Sequence, residues 1–102
     1  MNQELLQKIK RQKEILLKDG FEIVGIFGSF VSGQENSHSD IDLLYDIKST
    51  FLRKYGGFEA FAKINEIRER LKKELGRDVD LATIDNNSKT FKEYALKKVI
   101  YV

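Results

Sequence analysis

The sequence predicts an α/β fold built on a small mixed β-sheet. Two runs, 21–27 (FEIVGIF) and 40–45 (DIDLLY), have the β-branched, aromatic or alternating character of strands. Stretches at 2–18 and 58–75 place apolar residues at helical spacing. A third alternating run, 78–84 (DVDLATI), follows the second of these helices. The polar loop 34–38 is too short for a parallel crossover, so strands one and two run antiparallel if they pair. The helix between strands two and three does supply a crossover, which sets those two parallel.

Each element has its own local reason. In the leading helix Leu5, Leu6, Ile9, Leu16 and Leu17 lie near one stripe, with Lys8, Lys10, Arg11 and Lys13 elsewhere. Asp19-Gly20 is its stop signal. The basic residues read as a solvated helix face rather than as a nucleic-acid contact. Residues 48–57 read as a connection, broken at Gly56-Gly57. In the second helix Phe58, Phe61, Ile64, Ile67, Leu71 and Leu75 form the apolar stripe, and Gly76 caps the end. In strand three Asp78, Asp80 and Ala82 share a face. Asp85 to Ser88 signal a turn and a helix start, with a last helix reaching residue 97 or 98. Residues 99–102 resemble a short closing strand.

Composition sets the bounds. The 102 residues make one domain, 1–102, just large enough for a single core. Net charge is +2, from 18 basic and 16 acidic residues, a balance that does not point to nucleic acid. With no cysteine, disulfides and thiolate metal sites are excluded. No apolar run approaches a membrane span and no signal-peptide core is present, so a cytoplasmic protein with no membrane partner is expected.

The chemistry concentrates in residues 26–45. Gly28 lets the chain turn sharply and approach a ligand closely. Ser29 offers a hydroxyl at the start of a short helix, whose unpaired N–H groups favour a phosphate. Asp40 and Asp42 share one face of strand two, opposite Ile41, Leu43 and Tyr45. Two like charges so close repel unless a cation sits between them. Oxygen-only ligands suit Mg²⁺ or Mn²⁺, and Mg²⁺ commonly takes substrate phosphate oxygens as well. If strands two and three are neighbours, Asp80 approaches the same pair.

The run Gly28-Ser29, four residues, Gly33, five residues, then Ser39-Asp40-Ile41-Asp42-Leu43, with the later Val79-Asp80-Leu81, resembles the signature of the minimal nucleotidyltransferases. These belong to the DNA polymerase β-like nucleotidyltransferase superfamily, and among them are the MntA-type antitoxins of HEPN-paired modules. The resemblance covers essentially the whole chain. It implies a nucleotidyltransferase fold, with helices packed mainly on one face of the mixed sheet. It also implies two Mg²⁺ ions, or Mn²⁺, held by Asp40, Asp42 and Asp80. The implied reaction moves a nucleoside monophosphate from an NTP, ATP above all, to a hydroxyl. By the same resemblance Asp40 and Asp42 hold both metals and the triphosphate. Asp80 holds the metal nearer the acceptor and helps deprotonate its hydroxyl. Gly28 and Ser29 bind the β/γ phosphates, and Gly33 keeps the turn compact beneath them.

One departure stands out: Ser32 occupies the place before the second glycine where family members often carry arginine. Asp78 is a rival to Asp80 on the same face and reads as a turn or edge residue. His38 reads as an exposed loop residue and Asp46 as structural. Larger relatives use an additional domain to hold the acceptor, and none is expected here. The acceptor is then expected from a partner, from a second copy in a homo-oligomer, or from a shallow face of the same domain. The resemblance implies a HEPN-domain toxin as that partner, with this chain as the antitoxin of a toxin–antitoxin pair. The alternatives are a catalytically weak antitoxin that acts by binding, and transfer to a small hydroxylated molecule.

Overall fold

The structure is a computed structural model that describes residues 3–28, 40–83 and 99–102. Its elements are α1 (Gln3–Leu17), β1 (Phe21–Phe27), β2 (Ile41–Ile47), α2 (Ser49–Lys54), α3 (Phe58–Leu75), β3 (Val79–Thr83) and β4 (Ile100–Tyr101). The four strands form one sheet in the order β3-β2-β1-β4. β1 is antiparallel to both β2 and β4, whereas β2 and β3 run parallel, the directions expected for the first three strands, although the 28–40 connection is long enough for either direction. The sheet is therefore mixed. No helix among the described residues is long and apolar enough to cross a membrane.

The core lies between one sheet face and the described helices. Leu5, Ile9 and Leu16 of α1 and Ile67, Leu71 and Leu75 of α3 pack with Phe21, Ile23, Ile26, Ile41, Leu43 and Val79. Gln12 lies within the buried stripe of α1, a polar residue that the apolar pattern passes over. Its side-chain oxygen accepts from Nε of Arg70 at 2.9 Å, so α1 and α3 are tied by a charge-assisted bond where a buried amide would otherwise be unsatisfied.

Three features depart from the sequence reading. The residues 48–57, expected as a connection, contain α2, whose Phe51 is fully buried against Phe21 and Tyr55. Six residues are too few to show a helical period. Gly20 makes the docking possible: at φ +86 a side chain there would meet Thr50 Oγ1 at 2.5 Å and the Phe51 nitrogen at 2.6 Å. Its carbonyl also accepts from the Lys48 N–H at 2.8 Å.

The second departure is in α3. Phe58 and Phe61 are 93% and 75% exposed, and Ala60 turns inward instead. A three-residue step turns the helix about 60° short of a full revolution, so two such steps in succession walk off the buried face. The stripe runs 60, 64, 67, 71, 75. Leu17, at 42% exposed, likewise falls outside the stripe of α1.

The third is a β-bulge in β1. Its pairing with β2 slips between Ile23 and Gly25, leaving Val24 extra. Strict alternation would turn Gly25 and Phe27 to the core. After the bulge Ile26 faces the core, and Phe27 shares the opposite face with its partner Asp42. The remaining ends agree with the pattern. Gly76, at φ +69, caps α3 by donating to the Lys72 carbonyl. The closing strand pairs with β1 through Ile100 and Tyr101.

The two phenylalanines of opposite burial give a direct check. Phe51→Ala is expected to cost about 3–5 kcal/mol in urea unfolding. Phe61→Ala should stay within about 0.5 kcal/mol of the parent. Equal losses for the two would contradict this placement of α2 and α3.

Candidate active site

Where β1 ends, β2 and β3 both begin, so one rim of the sheet collects Gly28, Asp40, Asp42 and Asp80. Gly28 follows the last residue of β1. Asp40 precedes β2 and is exposed, and Asp42 is its second residue and half-buried. The parallel register sets Asp42 directly beside Asp80, and the antiparallel register sets Phe27 on its other side. A backbone bond from the Ile41 N–H to the Asp78 carbonyl, 2.9 Å, holds the two strand starts level. Paired residues of a sheet project to the same face, so Asp40, Asp42 and Asp80 share the face away from the helices.

Gly28 is in contact with this cluster. Its φ is +78, and a Cβ there would fall 2.1 Å from Oδ2 of Asp42. The carboxylate occupies the space that any other residue would fill with its side chain. The sequence predicted that the glycine turn and the carboxylates meet at one edge. That the missing side chain makes room for Asp42 itself is visible only here.

The electrostatics follow from this crowding. Asp42 is pushed up to about 6 from the usual 3.8, first by burial, then by the charges of Asp80 and Asp40. Among the described residues no group of three or more His, Cys, Asp or Glu side chains is gathered to hold a metal ion. Asp80 and Asp40 thus act on Asp42 through charge without the three carboxylates converging on one point. Their donor chemistry, oxygen only and negatively charged, fits a hard divalent cation that would relieve the repulsion.

The rival carboxylates are occupied elsewhere. Asp78 pairs with Lys72 at 3.4 Å. Asp46 lies at the other end of β2, where it accepts from the Ile47 N–H at 2.9 Å and pairs with Lys48 at 3.2 Å. Asp80, beside Asp42, is the member of the later acidic motif that the fold brings to the rim. Ser29, Ser32, Gly33 and His38 lie outside the described residues, as does the helix expected to reach residue 97 or 98. On the same face, Gly25 escapes a motif-based reading. A Cβ on it would meet Val99 Cγ1 at 2.5 Å, so its bareness lets β4 close on β1.

Comparison with known proteins agrees with the geometry. The family model described as Polymerase beta, Nucleotidyltransferase matches residues 3–102. A protein named protein adenylyltransferase MntA from Thermococcus cleftensis is 30% identical over 91 residues, 89% of this chain and 84% of its own length. A Methanocaldococcus jannaschii protein named as a candidate protein adenylyltransferase is 30% identical over 80 residues, 76% of this chain and 74% of its own. A solved structure described as that of a candidate minimal nucleotidyltransferase shares the fold, with a TM-score of 0.70 at 23% identity. That match covers 100% of this chain and 97% of the other.

The charge state of Asp42 is measurable through stability. Its pKa is raised in the fold, so ionising it favours the unfolded chain, and stability falls as pH rises from 3.8 through about 6. Asp42→Asn lacks this penalty. In EDTA the variant should gain on the order of 1 kcal/mol above pH 6, after solvent screening of a half-buried group, and lose that advantage below about pH 4. Urea melts across this range check it; a gain that does not vary with pH would contradict the assignment.

Proposed function

The chain belongs to the polymerase beta nucleotidyltransferase family, and from that membership we propose that it moves AMP from ATP to a hydroxyl of a partner protein. The observation that carries this reading is the rim itself: Asp42 lies against the bare Cα of Gly28 and beside Asp80 in the parallel register. The names of the relatives, protein adenylyltransferases, support a protein acceptor. The resemblance in sequence motif supports a HEPN-domain toxin as that acceptor, with this chain as its antitoxin.

The residues divide the work by position. Asp40 and Asp42 are assigned to hold two Mg²⁺ ions with the nucleotide's phosphates, with Mn²⁺ as a chemical substitute, and Asp80 completes the set. When bound, the cations supply charge stabilisation for the pyrophosphate leaving group and ease deprotonation of the attacking hydroxyl. Gly28, which makes room for Asp42, is assigned with its backbone to the β/γ phosphates. Ser29 is assigned to the β/γ phosphates and Gly33 to the turn beneath them. Asp80 is exposed, on the outer strand, and is assigned to receive the acceptor's proton.

The decisive experiment uses ATP labelled in its α-phosphate, Mg²⁺ and the candidate HEPN partner. Label should pass to the partner, and Asp42→Ala or EDTA should lower the rate by about 100-fold or more, the scale of losing one charge-stabilising group. Ser32, where relatives often carry arginine, favours a second reading, an antitoxin that acts by contact. Neutralisation that survives Asp42→Ala with no label on the partner would establish it. Label on a small hydroxylated molecule, and never on a protein, would point to the third class of acceptor.

Gly28→Ala tests the cradle separately. The methyl would stand 2.1 Å from Oδ2 of Asp42 on a backbone at φ +78. Transfer should fall by about tenfold or more, and stability by about 1–3 kcal/mol. Parent-like kcat/KM would show that the contact is dispensable.

A further inference from the structure

Transfer to a protein needs an accessible hydroxyl, and the chain's own hydroxyls can be sorted by position. Among the described residues, Tyr45 is half-buried with its ring stacked on Phe21 at 4.9 Å. Tyr55 packs its ring on Phe51 at 5.0 Å. Ser49 and Thr50 open α2, at the end of the sheet opposite the rim. Thr83 pairs with Tyr45 at the far end of β3. Ser49 and Thr50 are exposed at that opposite end, but among the described tyrosines Tyr101 is the exposed one, at 66%, in the edge strand β4.

The register defines its face. Tyr101 pairs with Gly25, and Gly25 pairs with Leu44 across the sheet. Leu44 and Asp42 are two residues apart on one strand, so Tyr101 shares the face that carries the carboxylates. Val99, two residues before Tyr101, confirms this by lying where a Gly25 side chain would project. Two strand spacings and two residue rises put the Cα atoms of Tyr101 and Asp42 roughly 12 Å apart.

That separation is not open ground. Gly25 and Leu44, the positions between them, are both buried. The phenol therefore stands at the outer edge, divided from its own carboxylates by covered sheet and free to meet another molecule's rim. We infer that Tyr101 is an acceptor for nucleotidyl transfer between two copies of this chain. The inference rests on the proposed nucleotidyltransferase activity and names one substrate for it. The phenolic oxygen of one copy attacks the α-phosphorus of ATP bound to the other. The bond to the β-phosphate bridging oxygen breaks and pyrophosphate leaves. The phenolic proton passes to Asp80 of the copy that binds ATP and then to water, and the product is an adenylyl phosphodiester on Tyr101.

A mixed-variant experiment tests it. Asp42→Asn keeps the acceptor and loses transfer, whereas a size-tagged Tyr101→Phe keeps transfer and loses the acceptor. With α-labelled ATP and Mg²⁺, neither variant alone should be labelled at residue 101. Mixed together, the Asp42→Asn chain should take the label, mapped to Tyr101 by peptide mass spectrometry, at a rate that rises with the concentration of the Tyr101→Phe chain. Self-label that persists on Tyr101→Phe at the parent level, or that maps to another residue, overturns the inference. So does a parent chain that binds ATP in an Asp42-dependent manner by equilibrium dialysis yet stays unlabelled. In both cases the proposed function stands. A parent chain that neither binds ATP nor transfers label to anything ends both.

Discussion

The carboxylate of Asp42, seated on the bare Cα of Gly28, is the contact around which the candidate site is arranged. It is an unfavourable place for a negative charge: half-buried, with Asp80 alongside and Asp40 near. Left to local preference, such a group would swing into water. The sheet prevents this, because β2 is bonded on both sides, antiparallel to β1 and parallel to β3. A slip of one residue would turn Ile41 and Leu43 out of the core, and their burial outweighs the discomfort of one carboxylate. The core thus holds the rim in a state of crowded negative charge.

The bulge at Val24 belongs to the same arrangement. It inserts one residue into β1, so that Ile26 completes the core while Gly25 and Phe27 face the carboxylates. Without it the glycine would stand in the core layer, where it fills nothing, and β4 would lose its close seat. Bulges placed near functional rims re-aim the strand in this way. At the opposite end of the sheet Gly20 does a comparable service, bringing Phe51 of α2 under Phe21. Two positive-φ glycines therefore flank β1, one closing the core and one opening the site.

Much of this was legible in the chain. The bounds of β1 and α3 follow from hydrophobic patterning and from glycines at their ends, and the helix between β2 and β3 supplies the crossover that sets those two strands parallel. The motif residues Gly28, Asp40, Asp42 and Asp80 were legible as a set through their resemblance to the nucleotidyltransferase signature. Other features were not legible. A six-residue helix has no measurable period, so α2 was hidden. Phe58 and Phe61 matched the helical spacing but not the buried arc. Gln12 is buried because Arg70, on a different helix, satisfies it.

By itself the sequence determined the two long helices, the first three strands and their order, and which acidic residues had a chemical reason to meet. These depend on interactions between residues close in the chain, or on how far a connection can reach. Only the tertiary structure set Asp80, the residue the motif favoured, directly beside Asp42 in the parallel register. It likewise decided that Gly28 makes room for a carboxylate, and that Tyr101 shares the site's face while standing at its edge. Those outcomes depend on register and on a bulge, and both are set by packing across strands that no local pattern encodes.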